Sequence, residues 1–229
     1  MSKGTIKQLG DVTEFTLLKF SGGKSDRKPR REWQTNSARL ENNLARAKRA
    51  VKELALCNPW EYWVTFTISP EKYDRYDLET IYKDFSEFVH NRTNPPRYVV
   101  VPELHKDGAI HLHALMYSIP FRELVEINGR LNWKPYFDRF GFSLVEPIRD
   151  RNRAAFYMLK YITKEAGQAV PRGKQIFRCS KGLARAETLA LVDQTIDGDE
   201  YARFVRNFET LDTLEYETDF IRRKTLGNP

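Results

Sequence analysis

The stretch RYVVVPELHKDGAIHLHALMY, Arg97–Tyr117, decides the fold, because its pattern is that of two strands joined by a tight turn. Residues 97–105 and 109–117 are rich in β-branched and alternating apolar residues, which predicts an antiparallel pair. Lys106-Asp107-Gly108 predicts a three-residue turn, with Gly108 in the left-handed conformation that such a loop needs. A two-residue turn is the alternative, and it would shift the register of the pair by one residue.

The second strand of this hairpin carries two histidines. Side chains alternate between the two faces of a strand, so His111 and His113 share a face and lie about 7 Å apart along it. The apolar residues between and around them, from Ile110 to Met116, form the other face. Two imidazoles at this spacing can bind one cation. The alternative interpretation is a pair of solvated histidines on an exposed strand.

The register of the hairpin predicts a third ligand. With the three-residue turn, His105 pairs with Ala109, and Glu103 lies opposite His111. Opposite residues share a face, so Glu103 joins the histidines, with His105 as the next candidate. Two imidazoles and one carboxylate, with no cysteine among them, favour Mn²⁺ or Mg²⁺ over a structural zinc ion.

The rest of the chain predicts an α+β domain around the hairpin. Further strands are expected at 62–68, 142–148 and 174–180, and helices at 36–56, 78–89 and 151–167. This order predicts a central antiparallel sheet of about five strands with packed helices. We expect the domain to span 59–183, between a basic N-terminal extension with one helix, 1–58, and a helical C-terminal extension, 184–229.

The helix expected at 151–167 carries two tyrosines and two lysines. At about 100° per residue, Tyr157, Lys160, Tyr161 and Lys164 fall within one arc. A phenol is a weak nucleophile because its pKa is about 10, and a nearby ammonium or a metal-bound phosphate would favour the phenolate. The pattern predicts a tyrosine that attacks a phosphate and stays attached to the strand. The alternative is an amphipathic helix with a solvated lysine face.

The charge of the chain points to nucleic acid. The formal net charge is +7, which favours a polyanionic partner. Aromatic residues interspersed with the basic ones are typical of single-strand binding. The segment 24–31, KSDRKPRR, is either a DNA-binding arm or an unstructured tail. The basic residues that we expect to contact DNA are Arg149, Arg151, Arg153, Lys174, Arg178 and Lys181.

The cellular setting is predicted from cysteine usage and hydropathy. The chain has 2 cysteines, Cys57 and Cys179, which form no disulfide framework, and this fits a reducing cytoplasm. No apolar run approaches the roughly 18 residues that a membrane span requires, and the N-terminus lacks the apolar stretch of a signal peptide. We therefore expect a cytoplasmic protein with no membrane partner.

These motifs together resemble those of an HUH endonuclease, of the rolling-circle replication initiator type known from phages and plasmids. Val64–Ile68 resembles the first-strand motif, His111-Leu112-His113 the HUH motif, and Tyr157–Lys164 the two-tyrosine motif. The acidic third ligand of the family is matched by Glu103. Its tyrosine-hydrophobic-x-lysine pattern is matched by Tyr161 and Lys164, so Tyr161 ranks first and Tyr157 second. The resemblance covers about 60–183.

The resemblance implies an RRM-like core and metal-dependent nicking of single-stranded DNA through a 5′-phosphotyrosine intermediate, which initiates rolling-circle replication at origin DNA. No Gly-rich phosphate loop ending in Lys-Ser/Thr occurs, so a host helicase and polymerase are the expected partners. Two rival interpretations stay open: a single-domain tyrosine transposase with the same chemistry, and a non-catalytic RRM-like binder of single-stranded nucleic acid. A relaxase is disfavoured, because its tyrosine usually precedes the histidines.

Overall fold

The computed structural model describes residues 3–18, 36–170, 174–192, 213–217 and 221–227. The chain divides into two compact units, one of residues 34–183 and one that combines residues 1–33 with 184–229. The strands are β1 (Lys3–Leu9), β2 (Val12–Leu18), β3 (Tyr62–Thr67), β4 (Arg97–Leu104), β5 (Ile110–Tyr117), β6 (Leu124–Ile127), β7 (Arg130–Trp133), β8 (Ser143–Pro147), β9 (Arg178–Cys179), β10 (Glu187–Val192), β11 (Thr213–Glu217) and β12 (Ile221–Gly227). The helices are α1 (Asn36–Cys57), α2 (Leu78–His90), α3 (Lys134–Arg139), α4 (Arg151–Met158) and α5 (Lys164–Ala169).

The unit of residues 34–183 is built on a five-stranded antiparallel sheet. Its strand order is β8-β3-β5-β4-β9, and every neighbouring pair is antiparallel. The α+β class and the central sheet of about five strands are thereby confirmed. β6 and β7 form a separate two-stranded ribbon. Among the described residues, no helix has the length and apolar character needed to cross a membrane.

The β4–β5 hairpin has the register that the three-residue turn predicts. His105 N donates to Ala109 O at 2.9 Å, and Gly108 N donates to His105 O at 2.9 Å. Gly108 has φ of 82°, the left-handed conformation expected there. Glu103 is paired with His111 across the two strands. The alternative two-residue turn is therefore wrong.

One face of this sheet forms the main hydrophobic core with α2 and α3. Strand alternation places Val64, Val100 and Leu112 on this face, each fully buried. The helix α2 begins at Asp77, whose carboxylate accepts from Glu79 N and Thr80 N. Its apolar residues then recur at helical spacing, and the buried ones are Leu78, Ile81, Tyr82, Phe85 and Val89.

The opposite face of the sheet is covered in part by α1, α4 and α5. The buried stripe of α1 consists of Leu44, Ala47, Val51 and Leu54, and α1 packs against both α4 and α5. At Gly167 of α5 the approach is close, because a Cβ there would lie 2.9 Å from Leu40 Cδ1. The helix expected in the N-terminal extension thus lies within the unit of residues 34–183.

The single helix predicted over 151–167 is wrong, because the chain breaks it. The helix α4 ends at Met158, a 3₁₀ turn follows at Leu159–Tyr161, and α5 begins at Lys164. Thr163 caps α5, since its hydroxyl accepts from Ala166 N at 3.2 Å. A capping threonine offers the backbone an alternative to helix, while the apolar period runs on through the break. The period alone therefore did not reveal the break.

The expectation of a helical C-terminal extension is also wrong for the described residues there. Residues 187–192, 213–217 and 221–227 are strands, and with β1 and β2 they form a second antiparallel sheet of order β10-β1-β2-β12-β11. These strands find partners that are distant in the sequence, as in the pairing of Leu18 with Ile221. Local patterns carry no signal for such pairing. The segment 24–31 lies outside the described residues.

Gly141 is a position where a side chain has no room. Its φ is 146°, and a Cβ would lie 2.5 Å from Thr67 O and 2.7 Å from Ser69 N, both backbone atoms. We expect Gly141→Ala to lower the free energy of unfolding by about 3 kcal/mol. Gly129→Ala is the control, because Gly129 also has a positive φ, 71°, but no atom lies within 4 Å of its Cβ position. We expect a loss of about 1 kcal/mol there. Urea denaturation measures both, and equal losses would contradict the prediction.

Candidate active site

The histidine face of the central sheet is assembled from three adjacent strands. In the registers of β3 with β5 and of β4 with β5, Thr65 and Val101 flank His113. In the same way Thr67 and Glu103 flank His111. The alternation that buries Leu112 in the core directs the histidines to this face. The predicted ligands therefore share one face, as the hairpin register requires.

His113 is held by hydrogen bonds at both ring nitrogens. Its Nε2 lies 2.7 Å from Glu103 Oε2, and its Nδ1 lies 3.3 Å from Thr65 Oγ1. Burial lowers the pKa of His113, so the imidazole is neutral at pH 7. A neutral ring carries one N–H, and the acceptor-only carboxylate takes it from Nε2. Nδ1 then accepts from the Thr65 hydroxyl.

His111 is paired with the other candidate ligand, His105. Their ring centroids lie 3.8 Å apart with an interplanar angle of 41°. Burial lowers the pKa of His111, and the neighbouring His105 lowers it further. A neutral imidazole is the form that binds a metal, so both His111 and His113 have the protonation state that a cation site needs.

The donor set fits a divalent cation in its chemistry and strand register, but the side chains are not gathered around one point. Among the described residues, no group of three or more His, Cys, Asp or Glu side chains is placed to hold a metal ion. Glu103 is hydrogen-bonded to His113, and His111 is stacked on His105. Directly opposed residues have Cβ atoms about 5 Å apart, so Glu103 and His111 can converge through side-chain rotation without a change of register.

Tyr161 is the tyrosine that contacts the histidine pair. Its ring stacks on His113 with centroids 3.7 Å apart and an interplanar angle of 27°. Its hydroxyl donates to the Tyr157 hydroxyl at 3.1 Å. Burial raises the pKa of Tyr161 well above 10, and the hydrogen bond with Tyr157 raises it further. Tyr161 is therefore a neutral phenol at pH 7. Tyr157 is 43% exposed and lies toward the solvent.

The two predicted lysines have separate positions. Lys160 Nζ lies 4.5 Å from the centroid of the Tyr157 ring, over its face. Lys164 lies beyond the helix break, at the start of α5, and its Nζ is 3.6 Å from Glu41 Oε1 of α1. The predicted common arc therefore does not extend to Lys164, because the break at Ile162 and Thr163 changes the direction of the chain.

Trp63 and Thr65 complete the site, and neither was predicted from the sequence as a site residue. The Trp63 ring centroid lies 5.2 Å from that of Tyr157, and 5.8 Å from those of His113 and Tyr161. Strand alternation places Trp63 and Thr65 on one face of β3. That this face is also the histidine face depends on the pairing of β3 with β5, which no local pattern reports.

The contacts of Trp63 predict a role in holding the tyrosines in place. We expect Trp63→Leu to lower the free energy of unfolding by about 2 kcal/mol, because the tilted and edge-on ring contacts are lost along with apolar area. Trp63→Phe keeps an aromatic ring, and we expect it to lose no more than about 1 kcal/mol. Urea denaturation of both variants measures the difference. A phenylalanine variant as unstable as the leucine variant would show that the ring contacts contribute nothing.

The structure divides the basic residues predicted to contact DNA into separate groups. Arg149, Arg151 and Arg153 are exposed at the start of α4, the helix that carries Tyr157. Lys174 Nζ lies 2.9 Å from Glu79 Oε1, on α2.

Arg178 also lies on the α2 side, because its guanidinium lies 5.0 Å from the centroid of Tyr82, a buried residue of that helix. Lys181 has an exposed side chain, and its carbonyl oxygen accepts from Arg97 at 2.6 Å. The structure thus brings the three arginines of 149–153 to the tyrosines, but leaves Lys174 and Arg178 on the α2 side of the sheet.

Comparison with known proteins agrees with the placement of this site. No curated protein and no solved structure matches the chain. Residues 61–166, just under half of the chain, match the sequence model of a family described as Replication-associated protein, of the ORF2 type. The matched part contains His111, His113, Glu103 and both tyrosines. Over the part that carries the candidate active site, the chain is therefore similar to a family of replication-associated proteins.

Proposed function

We propose that the unit of residues 34–183 is a metal-dependent endonuclease that nicks and rejoins single-stranded DNA through a 5′-phosphotyrosine, and that it initiates rolling-circle replication at origin DNA. The observation that carries this proposal is the stack of Tyr161 on His113, with Glu103 hydrogen-bonded to the same imidazole. A nucleophile and the candidate ligands thereby meet on one sheet face. The similarity to replication-associated proteins supports DNA as the substrate.

The cleavage step follows from the position of the Tyr161 hydroxyl. A bond forms between the Tyr161 oxygen and the phosphorus, and the bond from phosphorus to the 3′ oxygen of the preceding nucleotide breaks. The phenolic proton leaves through the hydrogen bond to Tyr157 toward solvent, and the departing 3′ oxygen takes a proton from solvent. The phosphodiester is exchanged rather than hydrolysed, so the 3′ hydroxyl can reverse the step and rejoin the strand.

The raised pKa of Tyr161 makes activation necessary. His111, His113 and Glu103 would hold Mn²⁺ or Mg²⁺, which when bound polarises the scissile phosphate and offsets the charge that develops on it. Thr65 orients His113 through Nδ1, and Trp63 packs beside the tyrosines and excludes water from one side. These residues prepare the site before any substrate enters.

The second tyrosine and the lysines have subordinate roles in this proposal. Tyr157 is exposed and one helical turn from Tyr161, so it can attack in the second of two successive transfers. Lys160, beside Tyr157, is placed to contact a phosphate there. Lys164 is the weaker candidate, because it pairs with Glu41. Arg149, Arg151 and Arg153 extend the basic surface along α4, and a host helicase and polymerase would act on the opened origin.

A cleavage assay tests the proposed function. The protein is incubated with end-labelled single-stranded oligonucleotides of varied sequence and Mn²⁺, and the products are separated on a denaturing gel. We expect a labelled strand linked to protein, which chelation by EDTA abolishes. Binding without cleavage of any oligonucleotide would favour the non-catalytic binder instead.

A further inference from the structure

The outer face of α1 is a second basic surface, separate from the candidate active site. It consists of residues that border an open cleft of about 390 Å³, and these are Arg39, Asn42, Asn43, Ala45, Arg46 and Arg49. All are exposed except Arg39, which is half-buried. Three are cationic and none is acidic. The surface is therefore open to a partner and has the charge of a site for a polyanion.

Helical geometry separates this face from the rest of α1. Leu44, Val51 and Leu54 form the stripe that packs into the unit, and at about 100° per residue the three arginines fall within one arc away from that stripe. Lys48 is also exposed, but it lies on the other flank of the helix, the flank of Glu41. The chain thus offers a basic residue on the same helix that lies outside the surface.

The residue types on the outer face suit base edges as well as phosphates. An arginine guanidinium can donate to two acceptors of guanine, and an asparagine amide can pair with adenine, both in the major groove of duplex DNA. Within the described part of the chain, no aromatic residue lines the cleft, although stacking on aromatic rings is how single strands are usually bound. These two features favour double-stranded over single-stranded DNA.

The dimensions of α1 are also those of a helix that enters a groove. The major groove of B-DNA is wide enough for one α-helix. From Arg39 to Arg49 the helix rises about 15 Å. A rise of this size matches about four base pairs at roughly 3.4 Å each.

We propose that the outer face of α1 docks into the major groove of double-stranded DNA beside the strand that enters the candidate active site. The inference goes beyond the proposed nicking, because duplex binding requires neither tyrosine. α1 packs directly on α4, and packed helices have axes about 8–10 Å apart. A duplex on the outer face therefore lies one helix away from Tyr157, at a distance that a short single-stranded segment can bridge.

Fluorescence anisotropy with a labelled random-sequence duplex, and with one of its strands alone, tests the proposal at several salt concentrations. The test variant is Arg46→Gln combined with Arg49→Gln, and the matched control is Lys48→Gln. We expect the double variant to bind the duplex at least about tenfold more weakly and to reduce the salt slope by about 2. We expect the control to stay within about twofold of the unmodified protein, and single-strand affinity to change by less than about threefold in both.

Three results would overturn the proposal. They are an unchanged duplex affinity in the double variant, an equal loss in Lys48→Gln, and an equal loss of single-strand binding. Unchanged thermal melting of the variants excludes misfolding as the cause. A protein that binds duplex through this face but forms no covalent adduct with any strand would support the inference while contradicting the proposed function.

Discussion

Tyr161→Phe is expected to abolish the covalent protein–DNA adduct, lowering its rate of formation by about a thousandfold or more. The substitution removes only the hydroxyl oxygen and keeps the ring that stacks on His113. Because the site stays packed, DNA binding and the thermal unfolding midpoint should change little. The measurement is a time course of adduct formation on a denaturing gel, with a labelled single strand and Mn²⁺.

Tyr157→Phe is the matched control, since it removes the hydroxyl to which Tyr161 donates. We expect the first cleavage to slow by no more than about tenfold. Loss of the hydrogen bond also removes one cause of the raised pKa of Tyr161, which partly compensates. An adduct that persists in Tyr161→Phe and disappears in Tyr157→Phe would reverse the order of the two tyrosines.

The second large effect is expected at the histidine pair. We expect His111→Ala and His113→Ala each to weaken Mn²⁺ binding by about a hundredfold and to remove the metal dependence of cleavage, because each deletes a nitrogen ligand of the proposed cation. Isothermal titration calorimetry without DNA measures binding directly. This readout is independent of whether the protein cleaves.

His105→Ala is the control for this pair, because His105 stacks on His111 but is not among the proposed ligands. We expect Mn²⁺ binding to weaken by about tenfold at most. A greater loss in His105→Ala than in His113→Ala would mean that the cation lies toward the turn of the hairpin, between His105 and His111.

The parts of the fold that were predictable from the sequence are those with local causes. The turn at Gly108 and the alternation in β5 determine the hairpin register, so the pairing of Glu103 with His111 followed from a few adjacent residues. The strands of the central sheet were likewise recognisable one by one. Their order was not, because pairing between distant strands depends on burial and packing that no single segment encodes.

The same distinction explains what was missed in the site. Trp63 and Thr65 enter it only through the pairing of β3 with β5, across 48 residues in the case of the Thr65–His113 contact. The break after Tyr161 was missed because a single capping residue, Thr163, outweighed a continuous apolar period. The contact between Lys164 and Glu41 arises from that break, since it places Lys164 on a new helix beside α1.

The second sheet makes the central unit an insertion. Because β1 and β2 pair with β10 and β12, the two ends of the described chain belong to one folding unit, and residues 34–183 form an excursion between its halves. Removing the strands after residue 183 would leave β1 and β2 as a lone hairpin with both edges unpaired, a form that is marginally stable and prone to associate. The unit that carries the candidate active site is therefore best separated by removing both ends together.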